Sequence, residues 1–449
     1  MATPTQLKMG FEGIEEVQEE KKPELSNGRA NKLDPQDRAF HDWYRFVLSF
    51  PPHLVQDYIQ KFDLNQKSVV LDPFCGTGTT LVEAKLAGMN AIGLEGNPFP
   101  YFASSVKTDW NLNADVLSTQ AQQVAEKALA IFSSQGIDDN LSFSNLKDLE
   151  LKTLSPEANK LILTNSISPL PLHKTLVLID CLKQFENKPF YRHALLALGN
   201  ALVFKISNLH FGPEVGVKKP KADVPVIANW LLEVDKMAND LRKISAKTYP
   251  DAKVHLADAR NFDVIEPNSV DAVITSPPYP NEKDYTRTTR LESVLLGFIN
   301  NKEELRELKK RLVRSNTRGI YKGDDDDQWI SEFPEIQRIA DEIEKRRIEL
   351  GKDSGFERLY ARATKLYFGG MAKHLADLRR VLRPGAQLAY VVGDQASYLR
   401  VMIRTGQILG DIAQKLGYEL VDIDLFRTRL ATATKEQLRE EVVILKWRG

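Results

Sequence analysis

The sequence predicts a doubly wound α/β fold, with a mostly parallel sheet, helices on both faces and one large, mainly helical insertion. Short apolar segments with strand character alternate with helical patterns, which is typical of consecutive strand–helix–strand units. Between about Trp110 and Tyr249 the alternation stops, and four amphipathic helical patterns follow one another. In such sheets ligands bind at the carboxyl ends of strands, near the point where the strand order reverses.

The first core segment, residues 41–109, is predicted to contain two helices and two strands. The polar, acidic stretch before it, residues 1–40, has no apolar periodicity and is expected to be flexible. A helix begins at the Pro51-Pro52 pair, because proline is favoured in a first helical turn. The strand VVLD, a glycine-containing turn, a helix that reaches Ala87 and the strand NAIGLE follow.

Strand patterns resume after the helical insertion, which we assign to residues 110–249. KVHLAD and VDAVITS lie in a second core segment, residues 250–300. AQLAYVVGD, YELVDIDLFR and EEVVILKW lie in a third, residues 369–449. A charged insertion, residues 301–368, separates these two segments. The sequence therefore predicts seven core strands and two insertions.

The net charge of the chain indicates whether a nucleic acid is a suitable partner. The chain carries 61 Lys and Arg against 61 Asp and Glu, so its formal net charge is zero. Phosphate binding usually requires an excess of basic residues, so this balance argues against a nucleic-acid partner. The charges are segregated, however, with bases concentrated at residues 218–221 and 309–318. A neutral chain can therefore still present a basic face.

Composition also bears on location and metal chemistry. No apolar run is long enough to span a bilayer, and no signal pattern begins the chain, which predicts a cytoplasmic protein without a membrane partner. Cys75 and Cys181 lie far apart in apolar surroundings. This spacing argues against a disulfide framework and a cysteine-built zinc site.

Two loops at strand ends carry the chemistry: LDPFCGTGTT at residues 71–80 and TSPPYP at residues 275–280. The glycines of the first loop allow the backbone to approach a ligand closely. That loop lacks the third glycine of dinucleotide-binding loops and the Gly-Lys-(Ser/Thr) of phosphate loops, so its ligand is not expected to be a phosphate. An ordinary tight turn is the alternative for the first loop, and a proline turn for the second.

In this order, the two loops resemble those of the S-adenosylmethionine-dependent DNA amino-methyltransferases, which methylate cytosine at N4 or adenine at N6. In that family the first loop binds S-adenosylmethionine and the second, a (Ser/Asn/Asp)-Pro-Pro-aromatic tetrad, is catalytic. The serine form is most typical of cytosine-N4 enzymes. The resemblance covers residues 42–102 and 255–296 well, and residues 378–447 by strand pattern only. It implies a seven-stranded Rossmann-like methyltransferase sheet, S-adenosylmethionine as cofactor and no metal.

The resemblance also implies cofactor-binding residues. Phe50 and Pro51 match the segment that closes over the methionine end, and Asp72 is expected to accept from the ammonium group. Glu95, at the end of the second strand, is expected to bind ribose hydroxyls, and Asp258 the adenine amino group. The alternatives are a solvated strand end for Glu95 and a turn or cap residue for Asp258. The other expected cofactor residues belong to the loop itself: Pro73, Phe74, Gly76, Gly78 and Thr79.

The tetrad Ser276-Pro277-Pro278-Tyr279 has the chemistry that amine methylation requires. The lone pair of an exocyclic amine is conjugated into the base. Acceptors at the Ser276 hydroxyl and the Pro277 carbonyl can draw this nitrogen toward tetrahedral geometry. Two consecutive prolines stiffen the loop, and Tyr279 offers a flat face on which an extruded base can stack. Direct transfer of the methyl group needs no covalent intermediate.

The expected partner is DNA, because the resemblance implies a site-specific enzyme that acts on a flipped cytosine. Such an enzyme associates with the nucleoid, and a cognate restriction endonuclease is a further expected partner. Lys218 and Lys219 in the first insertion, and Arg314 and Arg318 in the second, are expected to contact DNA, chiefly its phosphates. A solvated basic face is the alternative reading of these four residues.

The DYTR continuation after the tetrad is also similar to cytosine-N4 enzymes and adds Asp284 and Arg287 as site-shaping candidates, with surface charges as the alternative. Three other functions stay open: methylation of adenine N6, methylation of an RNA base, and a nucleic-acid-binding module without catalysis. Intact Asp72, Ser276 and Tyr279 argue against the last. The cofactor loop precedes the catalytic loop, the reverse of the order common among cytosine-N4 enzymes with a separate recognition domain. The sequence therefore does not identify which insertion reads DNA.

Overall fold

The computed structural model describes residues 37–46, 49–140, 150–212, 214–281, 283–430 and 437–449. The predicted flexible segment, residues 1–40, lies outside these residues except for its last four. The strands are β1 (Val69–Asp72), β2 (Asn90–Glu95), β3 (Leu209–Phe211), β4 (Val215–Val217), β5 (Ala252–Leu256), β6 (Val270–Thr275), β7 (Leu382–Gly393), β8 (Glu419–Leu430) and β9 (Gln437–Lys446).

The helices of the first half of the chain are α1 (Pro52–Lys61), α2 (Thr79–Leu86), α3 (Pro98–Lys107), α4 (Ala114–Ser134), α5 (Pro156–Asn159), α6 (Pro169–Lys183), α7 (Tyr191–Ala201) and α8 (Val226–Ile244). Those of the second half are α9 (Tyr285–Thr288), α10 (Arg290–Leu295), α11 (Lys302–Lys310), α12 (Pro334–Glu349), α13 (Tyr360–Leu378) and α14 (Thr405–Lys415).

Seven strands form one sheet in the order β5-β2-β1-β6-β7-β9-β8. β1 pairs in parallel with β2 on one side and β6 on the other, and the pairs β2–β5 and β6–β7 are also parallel. β9 lies antiparallel between β7 and β8. The chain leaves β1 toward β2 and β5 and then returns to β6 on the opposite side, so the strand order reverses between β1 and β6. The predicted mostly parallel, seven-stranded sheet is confirmed.

The central strands are apolar because helices cover both faces of the sheet. Successive side chains of a strand point to opposite faces, and β1 shows the result. Val70 packs in a cluster with Leu54 of α1 and Leu81 of α2. Its neighbour Leu71 packs in a second cluster with residues of α13 and α14, including Met371. This arrangement is the doubly wound architecture that the sequence predicts.

The first insertion is held by its own apolar cluster, formed by α4, α6, α7 and α8 and continuous with α3 of the core. Trp230 of α8 is fully buried, and its indole N–H donates to the Ala194 carbonyl of α7 at 2.8 Å. Gly199 brings α7 close to the core, since a Cβ at this position would lie 3.2 Å from the Phe99 ring of α3. The insertion therefore packs directly on the core rather than through a linker.

Several elements of the insertions were not predicted, among them α5, α11 and α12. A small hairpin, β3–β4, is formed by Leu209–Phe211 and Val215–Val217. In the second insertion, the segment around Asp326 packs so closely on α13 that a Cβ at Gly369 would lie 2.0 Å from the Asp326 carbonyl oxygen. Residues of both insertions, among them Glu214 and Arg314, also line a cleft at the strand ends.

Candidate active site

A cleft of about 840 Å³ opens beyond the carboxyl ends of the central strands and is lined by both loops singled out in the sequence. Its size is within the range of small-molecule sites. It lies where the strand order reverses, the position at which doubly wound sheets bind ligands. Thirteen of the predicted site residues line it: Phe50, Pro51, Pro73, Phe74, Gly76, Thr79, Glu95, Ser276, Pro277, Pro278, Tyr279, Asp284 and Arg314.

The first loop makes its turn with two glycines in the left-handed region. Gly76 has φ +50, and a Cβ added there would meet no atom within 4 Å, so this glycine leaves open space in the cleft wall. Gly78 has φ +86, and its Cβ would lie 3.0 Å from the Ser104 Cβ of α3. Gly78 therefore allows the loop to pack closely on α3, and Gly76 leaves room beside the loop for a ligand.

Asp72 connects the two loops. Its side chain is fully buried at the end of β1, where Oδ1 accepts from the Phe74 N–H at 3.1 Å. The Thr275 hydroxyl, at the end of β6, donates to the same oxygen at 2.6 Å. Oδ2 accepts no hydrogen bond from a described residue. Burial raises the pKa of Asp72 to about 6, although the Thr275 hydrogen bond favours the charged form.

Glu95 lines the cleft at the end of β2, and its carboxylate holds the Gly76 turn of the first loop in place. Its carboxylate accepts from the Gly76 N–H at 2.9 Å and from the Asn97 N–H at 2.7 Å. Burial raises the pKa of Glu95 to about 7, and the two amides oppose this shift. One carboxylate therefore fixes the glycine loop and still faces the cleft.

Ser276 and Tyr279 are held against the ends of the neighbouring strands. The Ser276 hydroxyl donates to the Val391 carbonyl of β7 at 3.2 Å. The Tyr279 ring rests on Gly393, where a Cβ would lie 3.0 Å from its Cε2 atom. Burial raises the pKa of the Tyr279 phenol, and nearby Glu440 raises it further. Tyr279 is therefore neutral at physiological pH.

The second insertion supports the catalytic loop directly. The Asn281 N–H donates to the Ser315 carbonyl at 3.0 Å, and the Asn316 side-chain amide donates to the Lys283 carbonyl at 3.1 Å. The Tyr398 hydroxyl donates to the Ser315 carbonyl at 3.1 Å. The segment containing Ser315 and Asn316 is thus part of the site. From the sequence this segment was predicted only to present a basic surface, although its Ser-Asn-Thr run is typical of a polar loop.

Asp284 is buried at the start of α9 and lines the cleft. It caps the helix by accepting from the Thr286 N–H at 3.1 Å. Burial raises the pKa of Asp284, but the Lys309 ammonium 2.7 Å away outweighs this effect, and the net shift is downward. Arg287 lies one turn further on, half-exposed and outside the cleft lining.

Asp258, expected at the adenine amino group, lies beside the cleft rather than in its lining, although the next residue, Ala259, lines it. Both Asp258 oxygens accept from the Arg260 guanidinium, with Nη2 at 2.6 Å from Oδ2. Arg260 also pairs with Asp326 of the second insertion. In this structure the Asp258 carboxylate holds Arg260, and it is Arg260 that joins the core to the second insertion.

The four basic residues expected at DNA have different environments. Arg314 is buried, and its Nε and Nη2 atoms each lie 2.8 Å from the Asp324 carboxylate. Its guanidinium also donates to backbone carbonyls, so it fastens its own loop. Lys218 and Lys219 are exposed just after β4, and Arg318 is exposed with its guanidinium 5.6 Å from the Phe356 ring centre. These three stand outside the cleft lining.

The cleft also contains charged residues that the sequence analysis did not select. Lys309 and Arg311 contribute bases from the second insertion, Glu214 contributes an acid from the β3–β4 hairpin, and Arg427 pairs with Glu440 on β8 and β9. No local pattern identifies them, because they reach the cleft only through the packing of distant segments. Within the described ranges, no group of three or more His, Cys, Asp or Glu could hold a metal ion. None of the described helices is long and apolar enough to cross a bilayer.

The fold and the two loops at one cleft define a methyltransferase-type site, and comparisons with known proteins agree. A model of the N6 and N4 DNA methylase family matches residues 13–101, and a model described as an RMKL-like methyltransferase domain matches residues 59–166. Together these models cover the cofactor half of the site.

The chain is also similar to two enzymes over most of its length. It is 26% identical to Type II methyltransferase M.BsoBI of Geobacillus stearothermophilus over 92% of this chain and 84% of that protein. It is 25% identical to Type II methyltransferase M.AvaI of Anabaena variabilis over 94% of this chain and 88% of that protein. These findings confirm the resemblance to DNA amino-methyltransferases and support a methyltransferase enzyme that acts on DNA.

Proposed function

We propose that this protein transfers a methyl group from S-adenosylmethionine to the N4 amine of a flipped cytosine in DNA, at a specific recognition sequence. The observation that carries the proposal is the 2.6 Å hydrogen bond between Thr275 and Asp72. It joins the carboxyl ends of β6 and β1, and so holds the cofactor loop and the Ser-Pro-Pro-Tyr loop at one cleft. Positioned reactants of this kind are the main requirement for a direct displacement.

The residues of the first loop fit S-adenosylmethionine. The buried Oδ2 of Asp72 lacks a described donor, which suits the ammonium group. The open space beside Gly76 suits close passage of the ligand over the loop, and Glu95 faces the cleft with acceptor capacity for ribose hydroxyls. When bound, S-adenosylmethionine supplies the methyl group on a sulfonium that leaves as a neutral thioether.

In the second loop, the Ser276 hydroxyl oxygen is oriented to accept a hydrogen bond from the amine of the base. Its hydroxyl proton is directed to the Val391 carbonyl, which leaves lone pairs of Oγ for a base amine. We assign to Ser276 and to the Pro277 carbonyl the role of drawing the amine nitrogen toward tetrahedral geometry. We assign to Tyr279 the stacking of the flipped base, since its ring is fixed against Gly393 from behind.

For DNA contacts we propose Lys218, Lys219 and Arg318, which are exposed. The two lysines follow β4, at the end of that strand opposite to Glu214, which lines the cleft. Arg287, half-exposed beside Asp284, is a further candidate. Arg314 is better explained as a support of its loop, because Asp324 occupies its guanidinium. A cytoplasmic, nucleoid-associated enzyme with a cognate restriction endonuclease remains part of this proposal.

The test is incubation of DNA with labelled S-adenosylmethionine, followed by nucleoside mass spectrometry. We expect N4-methylcytosine, and about 10²- to 10³-fold slower formation of product by the Ser276→Ala variant under the same conditions. N6-methyladenine alone would refute the assignment of the base but keep DNA amine methylation. Methylation of RNA but not of DNA, or cofactor binding without methyl transfer to either, would refute the proposed function.

A further inference from the structure

A buried lysine beside the cofactor cleft has no part in the function described so far. Lys107 ends α3, and only 1% of its surface is exposed. Its Nζ donates to the Tyr44 carbonyl at a long 3.3 Å, and it forms no salt bridge with a described residue. An ammonium group has three donors, and burial without an opposite charge is costly. Burial accordingly lowers the pKa of Lys107 to about 7.

Lys107 faces a small side pocket that adjoins the cleft. The pocket shares Phe50, Thr77 and Thr79 with the cleft wall, and Arg45 adds a second cation to both. Its volume of about 10 Å³ admits about one oxygen-sized atom. Thr79 is the first residue of α2, so the positive end of that helix also points to this region.

The nearest acid on the other side is already engaged. Glu83 accepts from His41 Nε2 at 2.7 Å and from the Gln56 side-chain amide at 2.7 Å. The side pocket therefore offers positive charge and hydroxyls to an anionic oxygen. The α-carboxylate is the anionic group of S-adenosylmethionine, so it is the part of that cofactor that this side pocket suits.

We infer that Lys107 binds the carboxylate of the methionyl end of S-adenosylmethionine, with one carboxylate oxygen entering the side pocket. This inference rests on the proposed function, because it assigns a further residue to the same cofactor. Lys107 then acts as a specificity residue: it distinguishes a cofactor with an intact amino-acid tail from one that lacks the carboxylate.

The experiment is calorimetry on the full chain with two ligands, S-adenosylmethionine and its decarboxylated form, which keeps the ammonium group and the sulfonium. We expect the wild type to bind S-adenosylmethionine at least tenfold more tightly, since a charged hydrogen bond contributes on the order of 1.5–3 kcal/mol. Lys107→Met should lose this preference, and Lys107→Arg should restore part of it. Lys85→Met is the matched control, because Lys85 is also buried and donates to a backbone carbonyl, that of Thr108 at 2.8 Å.

The binding results distinguish a wrong role for Lys107 from a wrong cofactor. Equal binding of the two ligands by the wild type, which requires no variant to fold, would overturn the role of Lys107 and leave the cofactor assignment intact. A preference that survives in folded Lys107→Met would also overturn it, since the carboxylate would then be held elsewhere. Binding of neither ligand by the wild type would refute the proposed cofactor itself.

Discussion

Ser276→Ala tests the catalytic loop most directly, because it removes one oxygen from the cleft and little else. In the folded protein the Ser276 hydroxyl donates to the Val391 carbonyl at 3.2 Å and also hydrogen-bonds with the Tyr279 phenol. Its loss should lower the free energy of unfolding by about 1 kcal/mol. The loss of a positioned polar group in the transition state is larger, at about 2.7–4 kcal/mol. We therefore expect the methylation rate to fall by about 10²- to 10³-fold in a protein that is still folded.

The assay is single-turnover methylation of DNA with saturating labelled cofactor, together with calorimetry of S-adenosylhomocysteine binding. Cofactor affinity should stay within twofold, since Ser276 is assigned to the base and not to the methionyl end. Ser269→Ala is the matched control. That hydroxyl also donates to a carbonyl, of Glu266 at 2.6 Å, but it precedes the opposite end of β6. A rate for Ser276→Ala within threefold of the wild type would show that its oxygen does not act on the amine.

Asp72→Asn should weaken cofactor binding yet stabilise the free protein above pH 7. Burial raises the pKa of Asp72 in the folded state from 3.8 to about 6, so between these values the folded state binds more protons than the unfolded state, and wild-type stability falls by up to about 3 kcal/mol as pH rises through them. Urea unfolding at pH 4 and at pH 8 should show a smaller fall in the stability of the variant. Gly393→Ala places a Cβ 3.0 Å from the Tyr279 ring and should displace that ring, which should lower turnover about tenfold or more with unchanged cofactor affinity. The control is Gly355→Ala, whose Cβ meets no atom within 4 Å and should change neither turnover nor cofactor affinity. Replacing Lys218 and Lys219 by Ala should reduce the salt slope of DNA binding by about 1.8, and an unchanged slope would exclude those lysines from the DNA contact. Arg314→Ala removes the buried guanidinium that pairs with the half-buried Asp324 carboxylate, and it should instead cost about 1–3 kcal/mol of stability.

The fold could be predicted from the sequence because its strands and helices are specified locally. The central core strands are apolar runs of strand length, β5 and β8 alternate apolar with polar residues over part of their length, and the long helices of the first insertion repeat their apolar residues with helical period. The two loops could be predicted for the same reason: glycines, prolines and an aromatic residue stand next to one another in the chain. Their placement at strand ends follows from the parallel sheet alone.

The hairpin β3–β4 and the support of the catalytic loop by Ser315 could not be predicted in this way. Three-residue strands are too short for a periodic signal. Ser315 meets Asn281 only because the second insertion folds back onto the strand ends. The position of β9 between β7 and β8 is likewise decided by pairing and not by order in the chain.

Local sequence patterns specify the sheet, the two loops and the side chains that those loops carry. The packing of distant segments settles which charges are available to a ligand. Arg314 and Asp258 read as free charges in the chain, but each is paired at short distance, with Asp324 and Arg260. Lys107 reads as an ordinary helix-terminal lysine, but it is buried with one long hydrogen bond. A charged side chain is neutralised when an opposite charge packs beside it and stays available to a ligand when none does. Packing brings together residues that are far apart in the chain, and their separation in sequence carries no signal of the contact.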